Sequence, residues 1–256
     1  MRDTVKTSNL FDCEVASINL NETLKVVEEI IDTNTYTQHV VLNAGKVVLM
    51  KKDSELKNII KNCSLINADG QSIVWASKIL GSPLPERVTG IDLMEKIIEL
   101  AAKKSYGIYF FGAKEEVVQK VVNHYKEIYP GLKLSGYRNG YFSNEDNREI
   151  VDSIKSSNAD ILLVAFSSPK KEYWLSKYGE EMGVPFVMGV GGSFDVVAGV
   201  TKRAPKWMQK LGMEWFYRFA QEPKRMWKRY LVGNTKFIIY TLEEKLRILT
   251  KKNEVR

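Results

Sequence analysis

Residues 185–197 read PFVMGVGGSFDVV. An apolar run ends in three glycines within four positions, and a Ser-Phe-Asp triplet then opens a new amphipathic stretch. That order spells strand, turn and helix start. An apolar run without polar alternation marks a strand covered on both faces, the situation of parallel sheets. The same unit recurs upstream. HVVLN (39–43), SLIN (64–67), YGIYFFG (106–112), KLSGY (133–137) and DILLVAF (160–166) are the other strands. Between them lie helical patterns near 21–32, 44–61, 71–80, 91–104, 114–128, 145–156 and 170–182. The expected fold class is α/β, a mostly parallel sheet with helices on both faces. In such sheets ligands bind beyond the carboxyl ends of the strands, so those ends are where chemistry is sought.

The alternation stops near Val200. Trp207, Leu211, Trp215 and Phe219 recur every four residues, the apolar stripe of a helix. Pro223 restarts the chain, Gly233-Asn234 breaks it again, and Ile238, Leu242, Leu246 and Leu249 make a further stripe. Two or three amphipathic helices outside the sheet are expected. Residues 200–256 carry 15 Lys/Arg against 5 Asp/Glu, whereas the rest of the chain is slightly acidic. A cationic tail on an acidic body points to a phosphate-rich partner, nucleic acid or anionic membrane, or else to a solvated surface.

Composition narrows the classes. The apolar runs fall short of the ~18 residues of a membrane-spanning helix, and the first fifteen residues contain no apolar signal-peptide region. Cys13 and Cys63 make no disulfide framework and fit a reducing cytosol. Two histidines, His39 and His124, cannot build a His-rich metal site.

Several strand ends combine glycine with chemistry-bearing residues. The 189–193 loop, with Gly191 and Gly192, can offer backbone N–H groups to a phosphate at a helix N-terminus. It can equally be a tight turn with Ser193 as N-cap and Asp195 on the helix dipole. Neither GxGxxG nor GxxxxGK[ST] occurs. Asp69, in NADGQS, is either a general base or a helix cap. Arg87, in PLPERVTG, is either a phosphate ligand presented by a proline-stiffened loop or a plain surface arginine. Tyr141-Phe142 offers rings for base stacking or for core packing. Lys206, Lys210 and Arg218 flank the Trp207/Trp215 stripe, as an interfacial helix requires, although such a stripe is more often core.

Taken together, NADGQSIVWASK, LPERVTGIDLM, NGYF, SSPKKEYW and GVGGSFDVVAGVTKRAPKWMQKLGMEWFYR resemble the WecB/TagA/CpsF glycosyltransferases, family 26. The resemblance runs from about residue 11 to 232. It implies a Rossmann-like α/β glycosyltransferase domain over 1–200 and a basic, amphipathic, membrane-associating appendage over 201–256. It further implies inverting transfer of a hexose from a UDP-sugar to an undecaprenyl-diphosphate-linked sugar, as in teichoic acid synthesis. N-acetylmannosamine is the first expectation for the sugar, and another donor such as UDP-glucose the alternative. By the same resemblance Asp69 matches the catalytic base and Arg87 an arginine implicated in catalysis. Tyr141 and Asp195 match the uridine side, and Arg218 and Arg225 match arginines that close over the diphosphate. Lys228 falls where an arginine is expected, with Arg229 adjacent. Two places depart from the teichoic-acid enzymes. Val41-Leu42-Asn43 stands for Thr-Pro-Asn, keeping Asn43 but losing a hydroxyl, and Lys171 in Pro-Lys-Lys-Glu stands for Gln.

None of the ten aspartates forms a DxD pair, so the leaving diphosphate is expected to meet arginines and backbone N–H groups rather than a metal. No cofactor is expected. The partners expected are a UDP-sugar, a polyprenyl-diphosphate acceptor and an anionic membrane surface, with a homo-oligomer admitted. The place expected is the cytoplasmic face of the bacterial plasma membrane. A nicotinamide oxidoreductase lacks its phosphate fingerprint here. A nucleic-acid-binding protein would leave Asp69 and the glycine cluster unexplained.

Overall fold

The structure is a computed structural model that describes residues 5–254, and the side chains of all of these except Arg225, Arg229 and residues 251–254. Six parallel strands form the central sheet in the order β4-β3-β8-β7-β5-β6. They are β3 (Thr37–Leu42), β4 (Leu65–Ala68), β5 (Ile108–Gly112), β6 (Leu134–Arg138), β7 (Ile161–Ala165) and β8 (Phe186–Gly189). Each coincides with an apolar run read from the sequence.

The two sheet faces divide the core. Ile108, Phe110, Ile161, Leu163, Phe186 and Met188 face α1 (Leu20–Asp32), α5 (Gly90–Lys104) and α6 (Glu115–Ile128). Their neighbours Tyr109, Phe111, Leu162, Val164 and Val187 face α7 (Asn147–Ser156) and α8 (Lys170–Tyr178). Val40, Leu42 and Ile66 extend the packing to α2 (Ala44–Met50), α3 (Ser54–Asn62) and α4 (Gln71–Leu80). The period-2 pleat is intact; both faces are simply apolar. The single helix read over 44–61 is two, because Asp53 caps a new start by accepting from the Leu56 N–H at 2.9 Å.

A two-stranded hairpin, β1 (Thr7–Leu10) and β2 (Cys13–Ala16), was not read from the sequence. Its turn residues Phe11 and Asp12 both have positive φ, the geometry of a type I′ hairpin, without the Asn-Gly or Asp-Gly that usually signals it. Tertiary contacts sustain it. Leu10, Phe11, Cys13 and Val15 are buried, and Asp12 pairs with Lys57 at 2.8 Å and Arg247 at 3.0 Å.

Beyond α9 (Ser193–Val197) the chain forms α10 (Lys206–Lys210), α11 (Glu214–Gln221), α12 (Pro223–Trp227), a π-helical turn (Lys228–Val232) and α13 (Gly233–Glu254). Gly212 interrupts the expected stripe helix. Its φ is +72°, and a Cβ there would lie 2.6 Å from Gln71 Cβ, so only glycine lets the tail come this close to the start of α4. Pro223 does restart a helix. Gly233-Asn234, read as a break, is not one: Gly233 is right-handed helical and the π-helical turn runs straight into α13. The Ile238/Leu242/Leu246/Leu249 stripe faces outward, while Phe237, Thr241 and Glu244 are the buried side of α13. Phe237 packs on Phe11, 5.5 Å between ring centroids, which seats α13 on the amino-terminal hairpin.

Candidate active site

Strand β5 leads to β6 on one side and β7 leads to β8 on the other. Adjacent parallel strands that send their chains apart leave a crevice at their carboxyl ends. Gly191 lies on its rim with φ +54°, and a Cβ there would come within 4.0 Å of the Phe166 carbonyl oxygen. Helix α9 follows at once. Ser193 is not its N-cap, as the turn reading supposed: Gly192 holds that position and Ser193 Oγ donates to the Val190 carbonyl at 2.8 Å. Asp195 stands in the first turn of α9, with Oδ2 about one van der Waals contact, 3.7 Å, from a Cβ built on Gly192.

The Tyr141-Phe142 pair divides its two readings. Phe142 joins Phe111, Phe166 and Trp174 in an aromatic cluster, with the Lys170 ammonium 4.6 Å from its ring centroid. Tyr141 is 71% exposed, held by its N–H donating to Asn139 Oδ1 at 3.0 Å.

Asp69 sits just beyond β4, its N–H donating to the Leu42 carbonyl at 2.8 Å. It does not cap α4, whose N-cap is Gly70 with no side-chain bond. Its carboxylate instead accepts from the Asn43 side chain, while Asn43 Oδ1 accepts from the Lys46 N–H at 3.0 Å. Asn43 is thus oriented by α2 and presents its amide to Asp69. Burial pushes the Asp69 carboxyl above its usual range; nearby Arg218 and the Asn43 hydrogen bond pull it down, Glu214 pushes it up again, and Lys46 lowers it. The residue still keeps part of its surface accessible. A half-open carboxylate with raised proton affinity is suited to accept a proton.

Arg87 reaches into the tail. Its Nη1 donates to Glu214 Oε2 at 2.7 Å and its Nη2 to the Gln209 carbonyl at 2.8 Å. Its loop is anchored by Leu84, which is buried, and by Glu86, whose Oε1 accepts from the Leu20 N–H at 2.7 Å. The structure therefore gathers Asn43, Asp69, Arg87 and Arg218 on one side of the sheet edge. Lys228 stands apart, exposed, 5.5 Å from the Trp227 ring centroid. The Arg225 and Arg229 side chains lie outside the described residues.

Lys46 and Glu172 were missed in the sequence, and both join the expected Lys171. Lys46 (4% exposed) and Lys171 (7%) both meet Glu172 (1%), at 2.7 and 3.1 Å, and Ser168 Oγ donates to the other Glu172 oxygen at 2.9 Å. Burial opposes ionisation of Glu172, but the two ammonium groups and Ser168 hold its carboxyl at about 2. The aliphatic stem of Lys171 lies over Gly189, where a Cβ would come 2.6 Å from its Cε. Lys171, one of the two sequence departures, thus belongs to a buried ion cluster with Lys46 and Glu172. A lysine one turn beyond Asn43 carried no sequence signal of a partner 126 residues away.

The tail surface is apolar and basic together. Trp207 is 60% exposed, and Leu211, Trp215, Trp227 and Leu231 are exposed beside Lys206, Lys210 and Lys228. The Trp207/Trp215 stripe is therefore not core. Among the described residues no helix is long and apolar enough to cross a membrane.

A Rossmann-like sheet bearing a carboxylate, arginines and a glycine-lined crevice at its carboxyl edge is the frame of a group-transfer protein of the α/β class. The chain belongs to the glycosyl transferase WecG/TagA/CpsF family, whose profile matches residues 8–251. It is 35% identical over 173 residues to the N-acetylglucosaminyldiphosphoundecaprenol N-acetyl-beta-D-mannosaminyltransferase of Bacillus spizizenii, covering 68% of this chain and 66% of that protein. It is 34% identical over 193 residues to the protein of the same name from Bacillus subtilis (75% and 74% covered) and 35% identical over 168 residues to that from Staphylococcus aureus (66% and 65%). The chain spans about two thirds to three quarters of the length of these relatives.

Proposed function

We propose that this protein transfers N-acetylmannosamine, with inversion and without a metal, from a UDP-linked donor to N-acetylglucosamine on undecaprenyl diphosphate. The acceptor and the sugar are those in the relatives' names. The observation that carries the reading is the Asp69 carboxylate, oriented by Asn43 and within the field of Arg218 at the sheet's ligand edge. Asp69 takes the proton of the acceptor hydroxyl as its oxygen attacks the anomeric carbon. The bond from that carbon to the UDP oxygen breaks on the opposite face. The departing diphosphate meets Arg87, Arg218 and the N–H groups of the Gly191-Gly192 loop, with Arg225, Lys228 and Arg229 proposed as further cations. Tyr141 and Asp195 hold the uridine, and the Lys46/Lys171/Glu172 cluster borders the sugar. Residues 201–256 act as the closing and membrane-associating unit. Their exposed Trp and Leu side chains among lysines support attachment to an anionic membrane surface, at the cytoplasmic face.

Incubation with a panel of UDP-sugars, UDP-glucose included, and a short-chain lipid-diphosphate acceptor tests this. UDP-N-acetylmannosamine should give a β-linked disaccharide product in EDTA, and Asp69→Asn should abolish it while UDP affinity stays within a few fold. Product only with another donor would change the sugar assignment. A strict, restorable need for magnesium or manganese would overturn the metal-free mechanism.

A further inference from the structure

Glu214, in the sequence GMEWFYR, has no role in the chemistry above, yet it ties the tail to the body beside the candidate site. Its Oε2 accepts from Arg87 Nη1 at 2.7 Å, and its Oε1 lies 3.5 Å from Arg203 Nε. Arg203 Nη2 in turn donates to Asp92 Oδ1 at 2.5 Å, on the first turn of α5. Asp92 is itself fixed there, accepting from Thr89 Oγ1 at 2.6 Å. One carboxylate on α11 therefore bridges two arginines, one from the LPER loop and one from the segment leading into α10. All three side chains are largely shielded, Arg87 and Arg203 to 17% and 21% exposure and Glu214 to 22%. The Arg87 arm is a hydrogen bond donated from a planar fork and so is directional; the Arg203 arm is a 3.5 Å ion contact in which the buried Nε donates to no partner among the described residues. Next to it, the Gly212–Gln71 contact brings the tail against the residue that opens α4, two positions from Asp69. Arg218, one turn further along α11, is thereby held near the Asp69 carboxyl.

We propose that Glu214 is a positioning residue. By clamping Arg87 and Arg203 it fixes α10 and α11 over the sheet edge and sets Arg87 and Arg218 where a leaving diphosphate would form. The inference rests on the transfer reading above for its purpose, but not for its geometry. Glutamine at 214 keeps the size and one acceptor oxygen yet loses the charge that holds two guanidinium groups. Aspartate is one methylene too short to reach both.

The decisive measurement is hydrogen exchange of α10 and α11 in the parent and in Glu214→Gln, with exchange of β5 and β7 as internal reference. The expected result is at least tenfold faster exchange across 206–221 with the sheet unchanged. Unchanged exchange in Glu214→Gln overturns the proposal, whether or not the protein transfers sugar. In the transfer assay, Glu214→Gln should lower kcat at least tenfold with the donor KM within threefold, and Glu214→Asp should be intermediate. A role confined to holding the fold would instead lower the melting temperature and leave kcat per folded molecule unchanged, which also overturns it. Absence of turnover in the parent would sink the transfer reading and leave the exchange result to decide the clamp.

Discussion

Replacing Glu172 by glutamine should be among the most destabilising isosteric changes in the molecule. Glu172 is 1% exposed and is the shared counter-ion of Lys46 and Lys171, both nearly as buried. The amide can still accept a hydrogen bond, but two ammonium groups then face no charge. Removing one partner of a buried ion pair costs about 3–5 kcal/mol, because the remaining charge stays desolvated. At about 2–4 °C per kcal/mol for a chain of this size, the melting temperature should fall by roughly 6–20 °C. Urea unfolding of parent, Glu172→Gln, Lys46→Met and the double variant closes a thermodynamic cycle. The double variant strands one ammonium fewer and should be more stable than Glu172→Gln alone. The pH dependence carries a sign. The Glu172 carboxyl is held at about 2 in the folded protein, below its ordinary 4.5. Its contribution is thus fully present above the unfolded value and is lost as pH falls toward 2. The gap between parent and Glu172→Gln should therefore narrow below about pH 4.5. A loss under about 1 kcal/mol at pH 7, or a gap that widens on acidification, would refute the reasoning.

Asp69→Asn should raise stability at pH 7 while abolishing transfer. Burial raises the folded carboxyl's proton affinity, so the ionised form is destabilising once pH exceeds its unfolded value, and the gain should vanish toward pH 3–4 in thermal scans. Tyr141→Ala should weaken UDP binding by roughly 1–3 kcal/mol in titration calorimetry with an unchanged melting temperature, since the ring is mostly exposed. Phe142→Ala, inside the aromatic cluster, should instead lower the melting temperature. Replacing Trp207, Leu211 and Trp215 together by serine should reduce sedimentation with anionic liposomes at least tenfold and leave UDP affinity unchanged.

The strands and their parallel class were legible because a sheet covered on both faces writes itself as mainly apolar runs, and all six lie where the sequence reading placed them; β6 (LSGYR), a partly buried edge strand, is the least apolar. The positions of Asn43, Asp69 and Gly191 were legible for a related reason: in this class the ligand edge follows the strand ends, which the sequence marks directly, whereas Arg87 comes from the loop between α4 and α5. The β1–β2 hairpin was not, since its turn residues carry no turn signal and its stability comes from burial on α3 and from Lys57 and Arg247, the latter 235 residues from Asp12. Periodicity revealed the stripes of the tail but not which way they face. Phe237 on Phe11 turns the Ile238–Leu249 stripe of α13 outward, and Gly212 splits the Trp207–Phe219 stripe by yielding to Gln71. The ion partnerships were equally invisible. Lys46 with Glu172 and Arg87 with Glu214 are separated by 126 and 127 residues, and a charge in a sequence carries no record of its distant partner. Local pattern determines what a segment is and which end of it bears chemistry; only the closed chain decides which charges leave water together, because burial is a property of all the elements at once.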